Sequence, residues 1–102
     1  MQDITVQQLK QKLDAGEVLS IIDVRGEDEL SEGMIPGVKH IPTSAVQERV
    51  AEFKSEQPVY VVCASGTRSK LVVQFLNKQN INNVVSVTGG MHAWIAAGFE
   101  VA

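Results

Sequence analysis

The chain alternates between two arrangements of apolar residues, one with the spacing of helices and one with the continuous runs of strands. Near the start, Thr5 and Gln8 form a capping-box pattern, and apolar residues three and four positions apart follow it. Together they predict a helix over 5–15, which Gly16 ends. Further helices are predicted over 27–32, 43–53, 67–79 and 90–97.

Two of these helices carry more detailed expectations. The helix over 43–53 is expected to be capped by Thr43 or Ser44, because a side-chain hydroxyl can accept from the free N–H groups of a first turn. The helix over 67–79 is expected to bury one apolar face, made of Leu71, Val72, Phe75 and Leu76.

Short runs rich in β-branched residues separate the helices and predict strands. The run from Pro58 to Cys63 is the strongest, since its apolar residues do not alternate with polar ones. This pattern suits a strand covered on both faces, as in a parallel sheet. Other strands are predicted over 18–24 and 84–87, and a short extended piece ends at 41–42. The alternation of strands and helices predicts an α/β fold with a mainly parallel sheet.

Composition narrows the class of protein. The 102 residues predict one domain over 1–102. A content of 44% apolar and 21% charged residues excludes disorder and collagen-like sequence. The net charge of −3 leaves no excess of base to neutralise phosphates, so a nucleic-acid partner is not expected.

The expected compartment follows from what the sequence lacks. No apolar run approaches the roughly 18 residues of a membrane span, so no membrane partner is expected. The first residues have neither the basic nor the apolar region of a signal peptide, which favours the cytoplasm.

The single cysteine excludes an intrachain disulfide and any zinc or iron–sulfur site that needs several cysteines.

That cysteine, Cys63, stands where the strongest strand ends and a short polar turn begins. The turn comprises Ala64, Ser65, Gly66, Thr67, Arg68 and Ser69. Backbone N–H groups in such a turn, the start of the next helix and the Arg68 cation would all stabilise a thiolate or a terminal sulfur anion. The alternative is a buried structural cysteine, but the coincidence of these features favours a reactive thiol.

Asp23 and Arg25, just past the end of another predicted strand, are candidate supporting residues. Arg25 could contribute to the field of the site from that position. The favoured alternative is a structural ion pair, for example between Arg25 and Glu29.

Three separated stretches resemble the single-domain form of the rhodanese (thiosulfate sulfurtransferase) family. Residues 22–42 contain IDVR, GMIPGV and HIP, residues 63–69 read CASGTRS, and residues 89–101 begin with GGMHAW. The order and spacing of the three stretches are those of the family, and together they are specific. Met34 departs from the pattern, because it stands where the family usually has histidine.

The resemblance implies a rhodanese-like α/β fold, with about five mainly parallel strands and helices on both faces. It implies that Cys63 accepts sulfur and that the loop of residues 64–69 cradles it. By analogy, the thiolate takes the outer sulfur of thiosulfate or another persulfide donor, and a thiophilic acceptor such as cyanide or a thiol then removes it. The resemblance implies no metal and no organic cofactor, and it allows a protein as persulfide donor or acceptor.

Three alternatives to this sulfurtransferase remain open at this point. The chain could be a sulfur carrier that relays persulfide between proteins, or a non-enzymatic binding module of the same shape. It could also be a small phosphatase or arsenate reductase, but related enzymes of that kind have five residues between the cysteine and the arginine, and here there are four. Arg68 is the only basic residue of the loop, which makes thiosulfate a less favoured donor than a persulfide.

Overall fold

The apolar run that ends at Cys63 forms the central strand of a five-stranded sheet in the computed structural model, which describes residues 2–102. The sheet order is β1-β5-β4-β2-β3, and every neighbouring pair is parallel. All four residues of the central strand are buried, as expected for a strand covered on both faces. The α/β class and the parallel sheet are therefore confirmed.

The strands and helices alternate from one end of the described chain to the other. The strands are β1 (Gln2–Thr5), β2 (Ser20–Asp23), β3 (Lys39–His40), β4 (Val59–Val62) and β5 (Val84–Thr88). The helices are α1 (Val6–Asp14), α2 (Thr43–Val46), α3 (Thr67–Lys78) and α4 (Gly90–Ala96), with 3-10 helices over Glu27–Glu32 and Gln47–Phe53.

Helices cover both faces of the sheet, and β4 contributes to both cores. Val59, Val61 and Cys63 lie in one core with apolar residues of α2 and α3. Tyr60 and Val62 alternate to the other core, which α1 and α4 cover. The cysteine therefore continues the alternation of its strand and faces the layer that contains α3.

One strand was not predicted, and two expectations about local structure were wrong. Residues Gln2–Thr5 form an edge strand, β1, which the sequence pattern did not predict. Pro42 occupies the cap position of α2, without a side-chain hydrogen bond, and neither Thr43 nor Ser44 caps the helix. Leu71 is 60% exposed, because it lies beside the apolar face of α3 rather than on it.

Other local predictions were right and have clear physical causes. The Thr5 hydroxyl accepts from the Gln8 N–H, and the Gln8 side chain accepts in return from the Thr5 N–H, so the predicted capping box is present. Gly16 follows α1 with φ of +84°, a conformation that glycine adopts without strain.

Among residues 2–102, no helix is long and apolar enough to cross a membrane.

Candidate active site

Cys63 immediately follows β4, at the edge of the sheet where all five parallel strands end. Ligands of open parallel sheets bind at this edge, beyond the carboxyl ends of the strands. A loop over 64–66 connects the cysteine to α3, which begins at Thr67. Gly66 caps α3 with φ of +100°, and a Cβ on it would lie 3.1 Å from the Gly89 nitrogen. Glycine is therefore required at this position for two reasons, the positive φ and the close approach of the loop to the end of β5.

The loop and the first turn of α3 wrap around the Cys63 sulfur. The Gly66 N–H donates to Sγ across 3.1 Å, and the Ser69 N–H donates across 3.3 Å. The Ser69 hydroxyl oxygen lies 3.6 Å from Sγ. Cys63 is 0% exposed, so these groups, rather than water, solvate its sulfur.

Two opposing effects act on the pKa of the Cys63 thiol. Burial raises the pKa, whereas hydrogen bonds from the Ser69 hydroxyl and from the N–H groups of Ser69, Gly66 and Ser65 lower it. The hydrogen bonds outweigh burial, so the pKa lies below the ordinary value of a thiol. The site therefore favours the thiolate, which is the nucleophilic form of cysteine.

The start of α4 holds the base of the loop from the other side. The Met91 N–H donates to the Cys63 carbonyl across 2.8 Å, and the His92 N–H donates to the Ala64 carbonyl across 2.9 Å. A Cβ on Gly90 would lie 2.3 Å from the Cys63 carbonyl oxygen. This close approach therefore depends on glycine, and it fixes the backbone that carries the sulfur.

Arg68, which was predicted to stabilise a sulfur anion with its free cation, is instead paired with a carboxylate. Its Nη1 and Nη2 donate to the Glu29 carboxylate across 2.8 Å and 2.9 Å, and the pair is partly exposed. The Arg68 guanidinium and the Gly26 N–H hold the pKa of Glu29 at about 2. The one cation of the loop is consequently paired with a carboxylate before any substrate arrives.

Asp23 and Arg25 are both fully buried and are bonded to each other. Arg25 Nη2 donates to Asp23 Oδ2 across 2.8 Å, and Arg25 Nε lies 3.1 Å from both carboxylate oxygens. The same guanidinium donates to the carbonyls of Glu29 and Gly33, across 3.1 Å and 2.7 Å. The pair thus ties the 3-10 helix over Glu27–Glu32 to the end of β2. The alternative pairing of Arg25 with the Glu29 carboxylate is wrong, because that carboxylate binds Arg68.

Of the other loop residues, Ser65 acts on the sulfur through its backbone N–H. The Ser65 and Thr67 hydroxyls lie 3.4 Å apart at the surface. Ala64 uses its carbonyl to bind α4. Lys70, in the first turns of α3, is exposed.

Sequence reasoning missed Ser86, a buried residue of β5. Its Oγ lies 2.8 Å from Ser69 Oγ, which in turn lies next to Cys63 Sγ. A single serine within the apolar run of β5 was the available signal, because a buried hydroxyl needs a hydrogen-bond partner.

Two clefts flank the first turns of α3. The first, of about 340 Å³, lies between α2 and α3 and is mainly apolar, with Val46, Leu71, Phe75 and Arg68 among its lining residues. The second, of about 380 Å³, is more polar, and we call it the polar cleft. It is lined by the loop, α3, β1 and β5, through residues that include Ser65, Thr67, Lys70, Ser86 and Thr88.

Comparison with known proteins agrees with this architecture. The family model described as "Rhodanese-like domain" matches residues 5–97. A crystal structure of a rhodanese-like domain protein from Staphylococcus aureus superposes with a TM-score of 0.88 at 39% identity, covering 100% of this chain and 99% of that one.

Two curated relatives come from Bacillus subtilis. "Putative sulfurtransferase YtwF" is 37% identical over 92% of this chain and 90% of its own length. "Putative sulfur carrier protein YrkF" is 38% identical over 90% of this chain, which spans half of that protein's length.

Proposed function

Because this chain belongs to the rhodanese-like family, we propose that it transfers sulfane sulfur by way of a persulfide on Cys63. Membership and the names of the relatives support a general role in sulfur transfer. The single observation that carries the proposal is the environment of Cys63 Sγ, which is buried and receives two backbone N–H donors. These donors need no neighbouring base to stabilise a sulfur anion.

In the first step, the Cys63 thiolate attacks the outer sulfur of a donor. A bond forms between Sγ and that sulfur, the donor's own sulfur–sulfur bond breaks, and its electron pair leaves with the remaining thiolate or, from thiosulfate, with sulfite. Cys63 then carries a terminal sulfur anion, and the N–H groups of Gly66 and Ser69 are the donors available to hold it. Since Sγ is buried, the site favours a donor that presents a single small sulfur atom.

In the second step, a thiophilic acceptor attacks the outer sulfur. The new bond forms to the acceptor, the sulfur–sulfur bond to Cys63 breaks, and Sγ leaves with the electron pair as the original thiolate. The lowered pKa of the Cys63 thiol favours its departure as a thiolate in this step, as it favours formation of the nucleophile in the first. Such a double displacement gives ping-pong kinetics.

The ion pair of Arg68 and Glu29 bears on the choice of donor. Thiosulfate carries two negative charges, and a free guanidinium would attract it, but Glu29 already occupies both Nη atoms of Arg68. We therefore propose a persulfide of a small thiol or of a protein as the preferred donor, with thiosulfate as a slower one. The second candidate function is a sulfur carrier between proteins, favoured by the name of the relative YrkF.

The test is to measure the intact mass of the protein after brief incubation with each donor. Wild type and Cys63→Ser are treated with a low-molecular-weight persulfide or with thiosulfate, and cyanide is then added. Cys63 is the one cysteine of the chain, so Cys63→Ser is a complete control for sulfur addition to thiols.

We expect wild type alone to gain one sulfur atom, faster from the persulfide than from thiosulfate, and to lose it to cyanide as thiocyanate. Failure to gain sulfur from either donor, or an equal gain by Cys63→Ser, would overturn the proposal. Transfer to a second thiol protein that outpaces transfer to cyanide would identify a carrier.

A further inference from the structure

A chain of buried hydroxyl groups leads from the Cys63 sulfur to the polar cleft. Ser69 Oγ lies 3.6 Å from Sγ and 2.8 Å from Ser86 Oγ. Ser69 is 0% exposed and Ser86 is 4% exposed, and Ser86 contributes to the lining of the polar cleft. The thiol itself has no direct access to solvent, because Cys63 is 0% exposed. The two serines thus form the hydroxyl connection between sulfur and cleft.

The directions of the Ser69 and Ser86 hydroxyl protons are linked, because the two oxygens share one hydrogen bond. Each carries one proton, and Ser69 Oγ also lies 3.1 Å from the Gly66 carbonyl, a second acceptor for its proton. When Cys63 is a thiol, its S–H donates to Ser69 Oγ, and Ser69 donates to Ser86 Oγ or to the Gly66 carbonyl. When Cys63 is a thiolate, it can only accept, so Ser69 can donate to Sγ, and the Ser69 oxygen is then free to accept from the Ser86 O–H.

We propose that Ser86 is a positioning residue for the sulfur chemistry, which acts through Ser69 by turning the Ser69 hydroxyl toward the Cys63 sulfur. When the Ser86 O–H donates to Ser69 Oγ, Ser86 no longer accepts the Ser69 proton, and the Ser69 O–H becomes a stronger donor to the charged sulfur. The Gly66 carbonyl also competes for this proton, so loss of the Ser86 donor weakens the bond from Ser69 to Sγ.

The same pair offers the proton of the thiol a path to solvent. The Sγ proton passes to Ser69 Oγ, the Ser69 proton passes to Ser86 Oγ, and the Ser86 proton passes to water in the polar cleft. One proton leaves the sulfur, one reaches solvent, and each serine keeps one hydroxyl proton. The proposal gives Ser86 its role within the proposed sulfur transfer and rests on that function.

Substitution of Ser86 removes none of the contacts of the charged groups around the hydroxyl pair. Arg68, next to Ser69 in α3, is paired with Glu29, and Asp23 at the end of β2 is paired with Arg25. Lys70 of α3 and Asp3 of β1 contribute to the lining of the polar cleft. His92 of α4 is exposed and binds the loop through its backbone N–H. A change in the titration of Cys63 would therefore report the hydroxyl itself.

The test is an ultraviolet absorbance titration of the Cys63 thiolate, which needs no sulfur donor. Ser86→Val and Ser86→Thr form the matched pair, since their side chains have the same shape and only threonine keeps the hydroxyl. Ser86→Ala is the smaller variant, and Thr88→Ala is the control, because Thr88 lines the same cleft but has no hydrogen bond to Ser69.

We expect the pKa of Cys63 to rise by roughly half a unit to one unit in Ser86→Val and Ser86→Ala, as for a weakened hydrogen bond to an anion. Ser86→Thr and Thr88→Ala should keep the wild-type titration. In a Ser69→Ala background, Ser86→Ala should have no further effect, because the proposed action passes through Ser69.

An unchanged titration in Ser86→Ala, or an equal rise in the two members of the matched pair, would overturn the proposal. An undiminished rise in the Ser69→Ala background would also overturn it. Folding of each variant is followed by circular dichroism, and if one of the apolar variants does not fold, the other still gives the comparison with Ser86→Thr. Because no donor is used, a failure of sulfur transfer in the wild-type protein would leave these outcomes readable.

Discussion

Arg68 and Glu29 lie 39 residues apart in the sequence, and two hydrogen bonds join their side chains at the active-site loop. The pair brings the 3-10 helix over Glu27–Glu32 against the first turn of α3. It also neutralises the one cation that the loop could offer to an anionic donor. In the proposed reaction, the position of a single glutamate therefore bears on the choice of sulfur donor.

Removing the charge of Glu29 should improve the use of thiosulfate. In Glu29→Gln, the Arg68 guanidinium keeps its charge while its partner becomes neutral, so the local field becomes more attractive to a dianion. We expect the KM for thiosulfate to fall by roughly threefold to tenfold, with a smaller change for a persulfide donor that carries a single negative charge. Steady-state formation of thiocyanate from each donor provides the measurement.

Glu52→Gln is the matched control for this prediction. Glu52 is also paired with an arginine, Arg49, but it belongs to the second 3-10 helix rather than to the active-site loop. An equal fall in KM in both variants would show that net charge, and not the contact with Arg68, controls the use of thiosulfate.

The thiolate of Cys63 should form at lower pH in the folded protein than in the unfolded chain. Burial opposes the thiolate, but the donors from Ser69, Gly66 and Ser65 outweigh it. A thiol whose pKa is lowered by folding stabilises the fold above its unfolded pKa, and this contribution is lost as the pH falls through the folded pKa.

Absorbance titrations of the thiolate in buffer and in denaturant measure the two values. We expect the folded midpoint to be the lower one, and the free energy of unfolding should rise with pH between the two midpoints. A folded midpoint above the unfolded one would mean that burial dominates and that the loop N–H groups fail to stabilise the anion.

Gly90→Ala should damage both stability and sulfur loading. Its φ of +55° is strained for alanine, and the new Cβ would lie 2.3 Å from the Cys63 carbonyl oxygen. We expect a loss of about 2–4 kcal/mol in the free energy of unfolding, from strain and forced displacement of the backbone that carries the sulfur. Denaturant unfolding and the rate of persulfide formation measure the two effects.

Gly98→Ala separates backbone strain from the steric clash. Gly98 has φ of +77°, but a Cβ there meets no atom within 4 Å. This variant should lose only about 1 kcal/mol of stability and keep the wild-type rate of persulfide formation. Similar results for the two variants would show that contact between α4 and the loop does not matter for the site.

The buried pair of Asp23 and Arg25 should support the fold rather than the reaction. Asp23→Asn leaves the Arg25 charge without its carboxylate. Arg25→Met removes the guanidinium donors to two carbonyls and to the Asp23 carboxylate, which keeps only the backbone N–H of residue 25. Each should cost about 3–5 kcal/mol in the free energy of unfolding, as expected for an orphaned buried charge. The amount of persulfide formed per folded molecule should remain near that of wild type. A stable variant with lost transfer would instead assign a functional role to the pair.

The elements with strong local signals were predictable from the sequence. The side chains of the unbroken apolar run of β4 are all buried only if both faces of the strand are covered. The capping box of Thr5 and Gln8 marks the start of α1. The loop after Cys63 was predictable for a similar reason, because Gly66 and the start of α3 follow the cysteine directly in the sequence.

The remaining features depend on contacts between distant residues. β1 has only one buried residue, Ile4, and it becomes a strand because it pairs with β5, more than 80 residues later in the chain. The partner of Arg68 and the contact of Ser86 with Ser69 likewise arise from the sheet order and the placement of α3. Neither is visible in local spacing, since residues of opposite charge and isolated serines occur throughout the sequence.

The register of β1 against β5, in which Ile4 lies opposite Val87, has a consequence for the kinetics of folding. The neighbour of β1 in the sheet is β5, so formation of this edge closes a loop of more than 80 residues. The entropy of closing such a loop must be overcome before its hydrogen bonds form, and folds dominated by such distant pairings are slow to reach the native state. We therefore expect the edge of the sheet beside the polar cleft to form late in folding, although its residues come early in the sequence.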